Sequence, residues 1–451
     1  MNDDLLQGLL DAYNPHWDDA YRYDLITRER YRARILALLE RPEILVLKGI
    51  RRSGKSSLLK LTINALRHRG VAPERIWFMN LEDYRLGGEK SLETLDALYG
   101  AYRSRHGSEG RRYVLLDEIQ EVPGFESWLR THSDADPGLK FVVTGSSSAL
   151  FSSELATLLT GRQVSIEVFP FGFGECLSHW DARLTTAVGE RGIDSLYLSD
   201  LGGEVAPHLD RFLSGGGFPE VVKHADPEAN HLLLQQYISD IVLRDIARRH
   251  NIRRIEVLQK LALYLIFNMS AGLNITRIAE LLGSNRTTIL DLIAHLQEVY
   301  LVFLTGSFSF QPSERLSSTR ARKVYCVDNG LFAAINAASP REDLKKWRNA
   351  VFQRLRFQWG ETLYYWRDKV EVDFVMEDGF PVGVAESDAA ESLDRDIYRL
   401  FHFLNAHNRP EGLMISQKKL QIHEEGGRRI VVMPLWLFLL RGRDEVMGYA
   451  G

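Results

Sequence analysis

The chain has 451 residues, 45% of them hydrophobic and 26% charged, with a formal net charge of −4. That length is too great for one ordinary core, so two or three domains are expected, and the composition is that of a soluble globular protein. The balance of charge does not mark a nucleic-acid binder, and two cysteines far apart, Cys176 and Cys326, suggest neither a disulfide framework nor a zinc site. The longest apolar stretch, near residues 431–440, is about half of what a membrane span needs. The opening Met1-Asn2-Asp3-Asp4 lacks the regions of a signal peptide, so a cytoplasmic protein with no membrane partner is expected.

In chain order, the first element with a chemical signature is the predicted strand Ile44-Leu45-Val46-Leu47. It runs into Gly49-Ile50-Arg51-Arg52-Ser53-Gly54-Lys55-Ser56, a complete G-x-x-x-x-G-K-[ST] phosphate loop, and a helical pattern opens at Ser57. Such glycines let backbone N–H groups curl around phosphate oxygens, and the helix N-terminus adds the positive end of its dipole. The candidate nucleotide contacts are Gly49, Arg52, Ser53, Gly54, Lys55, Ser56 and Ser57. Lys55 would reach the β- and γ-phosphates and Ser56 would hold Mg²⁺, so ATP and Mg²⁺ are the expected cofactors.

The strand Tyr113-Val114-Leu115-Leu116 ends in Asp117-Glu118. Its apolar run suits a central parallel strand covered on both faces. Asp117 would hold the metal, and Glu118, just past the strand, would polarise the attacking water as general base. The next strand, Phe141-Val142-Val143, ends in Thr144-Gly145-Ser146-Ser147-Ser148. A hydroxyl there can meet the γ-phosphate; Ser146 is included among the candidate contacts, although its neighbours compete for the role. After Gly161 comes Arg162, then the strand-like Val164-Ser165-Ile166-Glu167-Val168. Chemistry alone leaves Arg162 open as a finger on the transferring phosphoryl group or as a surface ion pair.

From 237 to 268 the periodicity is helical, with the basic run Arg244, Arg248, Arg249, Arg253, Arg254 and Lys260; a second run holds Arg315, Arg320, Arg322 and Lys323. Residues 274–283 and 286–296 read as two helices joined at Gly283-Ser284-Asn285, a helix-turn-helix that exposes Ser284, Asn285, Arg286 and Thr288. Leu301-Val302-Phe303-Leu304 and residues 322–327 would be wing strands. The span 274–298 holds two arginines and three acids, so docking onto a protein competes with gripping phosphate. Farther on, a helix at 347–357, a hairpin at 361–375, a strand at 382–386 and a helix at 394–406 complete the reading.

These phrases resemble the predicted prokaryotic ATPases of the AAA+/STAND type, in the archaeal-ATPase-like branch. The resemblance rests on Asn14-Pro15-His16-Trp17, the loop with its Arg51-Arg52 pair, Leu116-Asp117-Glu118-Ile119-Gln120 and Thr144-Gly145-Ser146-Ser147. It continues in Gly161-Arg162, Phe169-Pro170-Phe171 and Gly215-Gly216-Gly217-Phe218-Pro219-Glu220. It implies an α/β chain: an N-terminal extension (1–25), an AAA+ ATPase domain with a parallel sheet (26–225), a helical and winged-helix domain (226–340) and a mixed α/β nuclease-like domain (341–451). It also implies that Arg162 is a sensing or trans-acting arginine, which makes assembly, as a hexameric ring, a condition for hydrolysis. The last domain resembles the PD-(D/E)xK nucleases, but only Asp373 stands where their metal-binding carboxylates should. Arg348 occupies the helical glutamate position, and Ala385-Glu386-Ser387 replaces Glu-x-Lys. The expected function is an ATPase acting on DNA, by remodelling or branch migration of a junction, with an inactive nuclease domain. The alternative is a nucleotide-dependent signalling switch that binds a protein.

Overall fold

The computed structural model describes residues 3–87, 90–107, 109–146, 161–198, 200–315, 321–336 and 342–449. Arg320, Ser147 and Ser148 lie outside the described residues, and of Ser146 only the backbone is described. The chain forms two compact units, Met1–Phe169 and Pro170–Gly451.

Among the described residues of the first unit, five strands form one parallel sheet in the order β2-β3-β4-β1-β5. They are β1 (Ile44–Gly49), β2 (Ile76–Asn80), β3 (Arg112–Asp117), β4 (Leu139–Ser146) and β5 (Gln163–Glu167). Alternate residues of each strand feed two cores, as the period of two requires. Ile44, Val46, Trp77, Met79, Val114, Leu116, Phe141 and Val143 share one core with helices α1 (Asp3–Tyr13), α4 (Leu92–His106) and α5 (Phe125–Ala135). Leu45, Leu47, Phe78, Leu115 and Val142 share the other with α2 (Glu29–Leu39) and α3 (Lys55–His68). The apolar runs are therefore continuous because both faces are covered.

β2 is an edge strand, and the N-terminal segment closes that edge. Asn14 accepts from the Phe78 N–H at 2.7 Å and donates to Leu10 O at 2.8 Å. The Ile76 carbonyl receives the Trp17 indole N–H at 2.9 Å and lies 3.0 Å from His16 Nε2. Asn14 and His16 are both buried. Side chains thus occupy backbone groups that would otherwise template pairing with another strand.

The second unit holds an eight-stranded mixed sheet, in the order β12-β13-β11-β10-β9-β8-β6-β7 among the described residues. The two strands expected as a wing, β6 (Val302–Ser307) and β7 (Lys323–Cys326), pair antiparallel. β6 also pairs in parallel with β8 (Leu363–Arg367), so sequence on both sides of residue 340 shares one sheet. β9 (Glu371–Met376), β10 (Pro381–Val384), β11 (Glu411–Ser416), β12 (Gln421–Glu425) and β13 (Arg428–Pro434) complete it. The helix Ala390–Ala406 packs on this sheet through Leu393, Ile397, Leu400, Phe403 and Leu404. The helices Ile275–Leu281 and Arg286–Glu298 stand where the sequence predicts, each capped by an asparagine: Asn274 accepts from Arg277 N, and Asn285 from Thr288 N. Gly283, between them, adopts φ 56°. Two segments, Ile241–Ala247 and Arg354–Trp359, wind as π-helix.

Candidate nucleotide site and the cleft of the second unit

The phosphate loop takes its shape from backbone constraints. β1 delivers the chain at Gly49, where φ is 156° and a Cβ would lie 2.0 Å from the Val168 carbonyl oxygen. Only glycine fits that approach. Gly54, at φ 95°, turns the chain in the left-handed region and caps α3. Arg52 is exposed and also left-handed, at φ 66°, a conformation that costs a non-glycine residue on the order of 1 kcal/mol. Lys55 is 5% exposed, and its ammonium donates to Gly49 O and Ile50 O, each at 3.0 Å. Ser56 and Ser57 follow, half-buried, in the first turn of α3. The buried Ser53 hydroxyl has no hydrogen-bond partner. Beneath the loop, the buried Arg28 donates to Ser53 O at 3.1 Å and stacks over the Tyr31 ring.

The acidic strand end lies at this same carboxyl edge of the sheet. Asp117, 1% exposed, accepts a hydrogen bond from the Thr144 hydroxyl, and Thr144 Oγ1 in turn accepts the Glu118 N–H at 3.0 Å. One hydroxyl thus fixes both acids. Burial, and then the neighbouring Glu118 charge, push the Asp117 carboxyl above its ordinary range; hydrogen bonds from Thr144 and Ser56 and the Lys55 charge oppose this. Glu118 sits in the left-handed region, φ 53°, ψ 50°, and its carboxylate accepts from Gln120 Nε2 at 2.5 Å. A strained residue is held there by what surrounds it.

These donors fit a Mg²⁺–nucleotide. The loop starts at a glycine packed against the Val168 backbone and carries a buried Ser53 hydroxyl without a protein hydrogen-bond partner. It also has a buried ammonium, with a serine hydroxyl bonded to a buried carboxylate beside it. Ser56 and Asp117 are the groups that would hold the metal.

Arg162 is elsewhere. Its carbonyl accepts from Ile44 N at 2.8 Å, at the amino edge of the sheet, and its exposed guanidinium pairs with Asp134. β1 has six residues and rises about 3.3 Å per residue, so roughly 17 Å of strand separates Arg162 from the loop of its own chain. Arg162 thus stands at the opposite edge of the sheet from the phosphate loop of its own chain.

In the second unit, a cavity of about 650 Å³ is lined by Arg348, Asp373, Glu386, Asp396 and Arg399, among others. Arg348 Nε lies 2.7 Å from Asp373 Oδ1, and the other Asp373 oxygen accepts the Val384 N–H at 2.9 Å. Glu386 pairs with Arg395 and Arg399, each at 3.1 Å. Asp388 is committed to a turn, accepting from Gln417 N and Lys418 N. A guanidinium therefore takes the charge-neutralising role that a cation would take beside Asp373.

Sequence reasoning missed the support of Arg28, the two hydrogen bonds of the Thr144 hydroxyl and the lock of residues 14–17 on β2. Each joins segments 25 or more residues apart, and no local pattern announces it.

Comparison with known proteins places these features in context. An uncharacterized protein of Haemophilus influenzae is 27% identical over 423 residues, covering 92% of this chain and 98% of that one. One from Methanocaldococcus jannaschii is 29% identical over 343 residues, covering 74% and 72%. Among solved structures, the Walker-type ATPase of Pyrococcus abyssi matches 71% of this chain and 99% of its own at 16% identity, with a TM-score of 0.42, which leaves function with the neighbour. Residues 206–342 match a domain of unknown function (DUF8612). Residues 41–177 match the family described as AAA domain, and that stretch contains both the phosphate loop and the acidic strand end.

Proposed function

We propose that the chain is a Mg²⁺-dependent ATPase of the AAA+ type that works as an oligomer on DNA. The observation that carries the ATPase part of this reading is the Lys55–Ser56–Asp117–Thr144–Glu118 constellation at one sheet edge, behind a loop whose Gly49 admits no side chain. Bound Mg²⁺ would supply charge neutralisation at the phosphates. Lys55 holds positive charge in the cradle, and Ser53 offers a hydroxyl to a phosphate oxygen. Thr144 fixes Asp117 towards Ser56 and holds the Glu118 backbone. Glu118 polarises the water that attacks the terminal phosphoryl group, giving ADP and phosphate.

In this reading Arg162 acts on a neighbouring subunit, which its exposure and its distance from its own loop favour; a hexameric ring is the arrangement proposed. Ser146 is kept as a proposed nucleotide contact. The division proposed along the sequence is an extension (1–25), an ATPase part (26–225), a helical and winged-helix part (226–340) and a nuclease-like part that has lost cleavage (341–451), the last two joined in one sheet through β6 and β8. The Arg348–Asp373 pair supports that loss. The DNA-directed work is remodelling of duplex or branched DNA.

A second reading, a nucleotide-dependent switch docking a protein, is favoured by one observation. The helix pair exposes Leu281 and Leu290, 65% and 50% accessible, while Arg286 is engaged by Thr276. ATP hydrolysis by wild type and Glu118→Gln, with duplex, single-stranded and four-way-junction DNA across a salt series, separates the two. Stimulation by one DNA form, falling steeply with salt and lost in the variant, supports the motor. Slow turnover indifferent to every DNA supports the switch.

A further inference from the structure

Among the described residues, His250, His295 and Glu298 are the one trio of potential metal ligands whose donor atoms all lie within 4.8 Å of one another. None belongs to the nucleotide site. His250 follows the π-helical segment Ile241–Ala247, and its N–H is tied back to Ile246 O at 2.9 Å. His295 and Glu298 are three residues apart in the last turn of the helix Arg286–Glu298, a spacing that puts them on one face. The imidazole of His250 stacks on that of His295, with centroids 3.8 Å apart and planes inclined by 24°.

Both rings direct a nitrogen at the same carboxylate oxygen. His250 Nε2 lies 3.4 Å and His295 Nδ1 3.3 Å from Glu298 Oε2. A hydrogen bond accounts for the His295 approach alone, Nδ1 to Glu298 Oε2 at 3.3 Å. His250 Nε2 is buried and has no hydrogen-bond partner, because the approach to Glu298 lacks the required angles. Ligands bound tetrahedrally at 2.0–2.1 Å sit about 3.3–3.4 Å from one another. The two nitrogen–oxygen separations match that edge.

We propose that His250, His295 and Glu298 bind a divalent transition-metal ion of the Zn²⁺ class, with water at the fourth position. Two imidazoles and one carboxylate form a donor set that suits Zn²⁺ and disfavours Mg²⁺. The positive charge of Arg249 acts on His250 and Glu298, and Asp245 in turn acts on Arg249. The ion clips the end of the helix-turn-helix's second helix to the segment that leaves the π-helix. Its role is structural: it sets how firmly that helix is held. The absence of paired cysteines does not bear on the site, since it uses none.

The test uses the full chain, stripped with a chelator and free of nucleotide. Zn²⁺ is titrated against a chromophoric competitor, and Co²⁺ serves as a spectroscopic substitute. Wild type should bind one equivalent more than His250→Gln/His295→Gln, give the strong visible band of four-coordinate Co²⁺, and melt several degrees higher with Zn²⁺. Millimolar Mg²⁺ should do none of this. Equal Zn²⁺ uptake by wild type and the double variant, or only a weak octahedral Co²⁺ spectrum, would overturn the site and leave surface histidines as the binders. If circular dichroism shows that the double variant does not fold, Glu298→Gln decides, since it keeps both rings and the side-chain volume. Affinity at least tenfold below wild type upholds the site, and unchanged affinity removes it.

Discussion

At Gly49 and Thr144, single atoms carry consequences that can be measured. Gly49→Ala forces a methyl group to within 2.0 Å of the Val168 carbonyl oxygen, so the loop or the end of β5 must move. Nucleotide affinity should fall by more than tenfold, and unfolding should become easier by about 1–3 kcal/mol. Fluorescent-nucleotide titration and denaturant melts measure the two effects. Thr144→Val keeps the shape but strips Asp117 and the Glu118 N–H of their shared partner. A buried group left unpaired costs about 1–3 kcal/mol, and hydrolysis should drop further than nucleotide binding, which steady-state kinetics alongside binding would reveal. The identity of the loop residues was legible because their chemistry is contiguous. Thr144 was not singled out from its neighbours, because what distinguishes it is a hydrogen bond across 27 positions rather than its own local sequence.

Elements obey the same division between local and distant causes. β1, β3 and β4 announce themselves as apolar runs ending in a chemical motif. The run through β13 was not legible as a strand: Ile430 to Met433 continues through Pro434 directly into the apolar helix Leu435–Leu440, and no polar residue breaks the period. Edge closure of β2 was equally hidden, since it uses side chains from residues 14–17 on backbone more than fifty residues away. That closure gives a pH signature. Burial lowers the His16 pKa to about 4 from 6.5; with Nε2–H donated to Ile76 O, the neutral ring fits its site and the imidazolium does not. The folded value lies below the unfolded one, so the stabilisation is complete above pH 6.5 and is lost as pH falls towards 4. Over that window stability should rise with pH by on the order of 3 kcal/mol. Urea unfolding of wild type and His16→Gln from pH 4 to 8 checks this, the variant showing the shallower slope. Removing residues 1–17 should bare the β2 edge and cause concentration-dependent association, visible by light scattering.

For the whole molecule, the proposed ATPase requires a second copy, because Arg162 stands at the wrong edge of its own sheet. Glu118→Gln should lose about 10²–10⁴-fold in turnover, and Arg162→Ala should also fall. Mixed together, the two should regain activity, since some interfaces then pair an intact Glu118 with an intact Arg162. Failure of every mixture to exceed the separate variants would remove Arg162 from the reaction. The second unit raises a different matter of history. Changing Arg348 alone to glutamate would set a half-buried carboxylate against the buried Asp373, and changing Asp373 alone would take away the guanidinium's carboxylate partner. Breaking one side of such a part-buried pair costs less than the about 3–5 kcal/mol of a fully buried one, but still destabilises. Each single substitution leading back towards a metal-holding cleft therefore runs uphill. In the proposed nuclease-like reading the ion pair acts as a ratchet: with arginine opposite Asp373, selection for stability alone would keep a metal from being held there, whatever use the rest of the chain makes of the cleft.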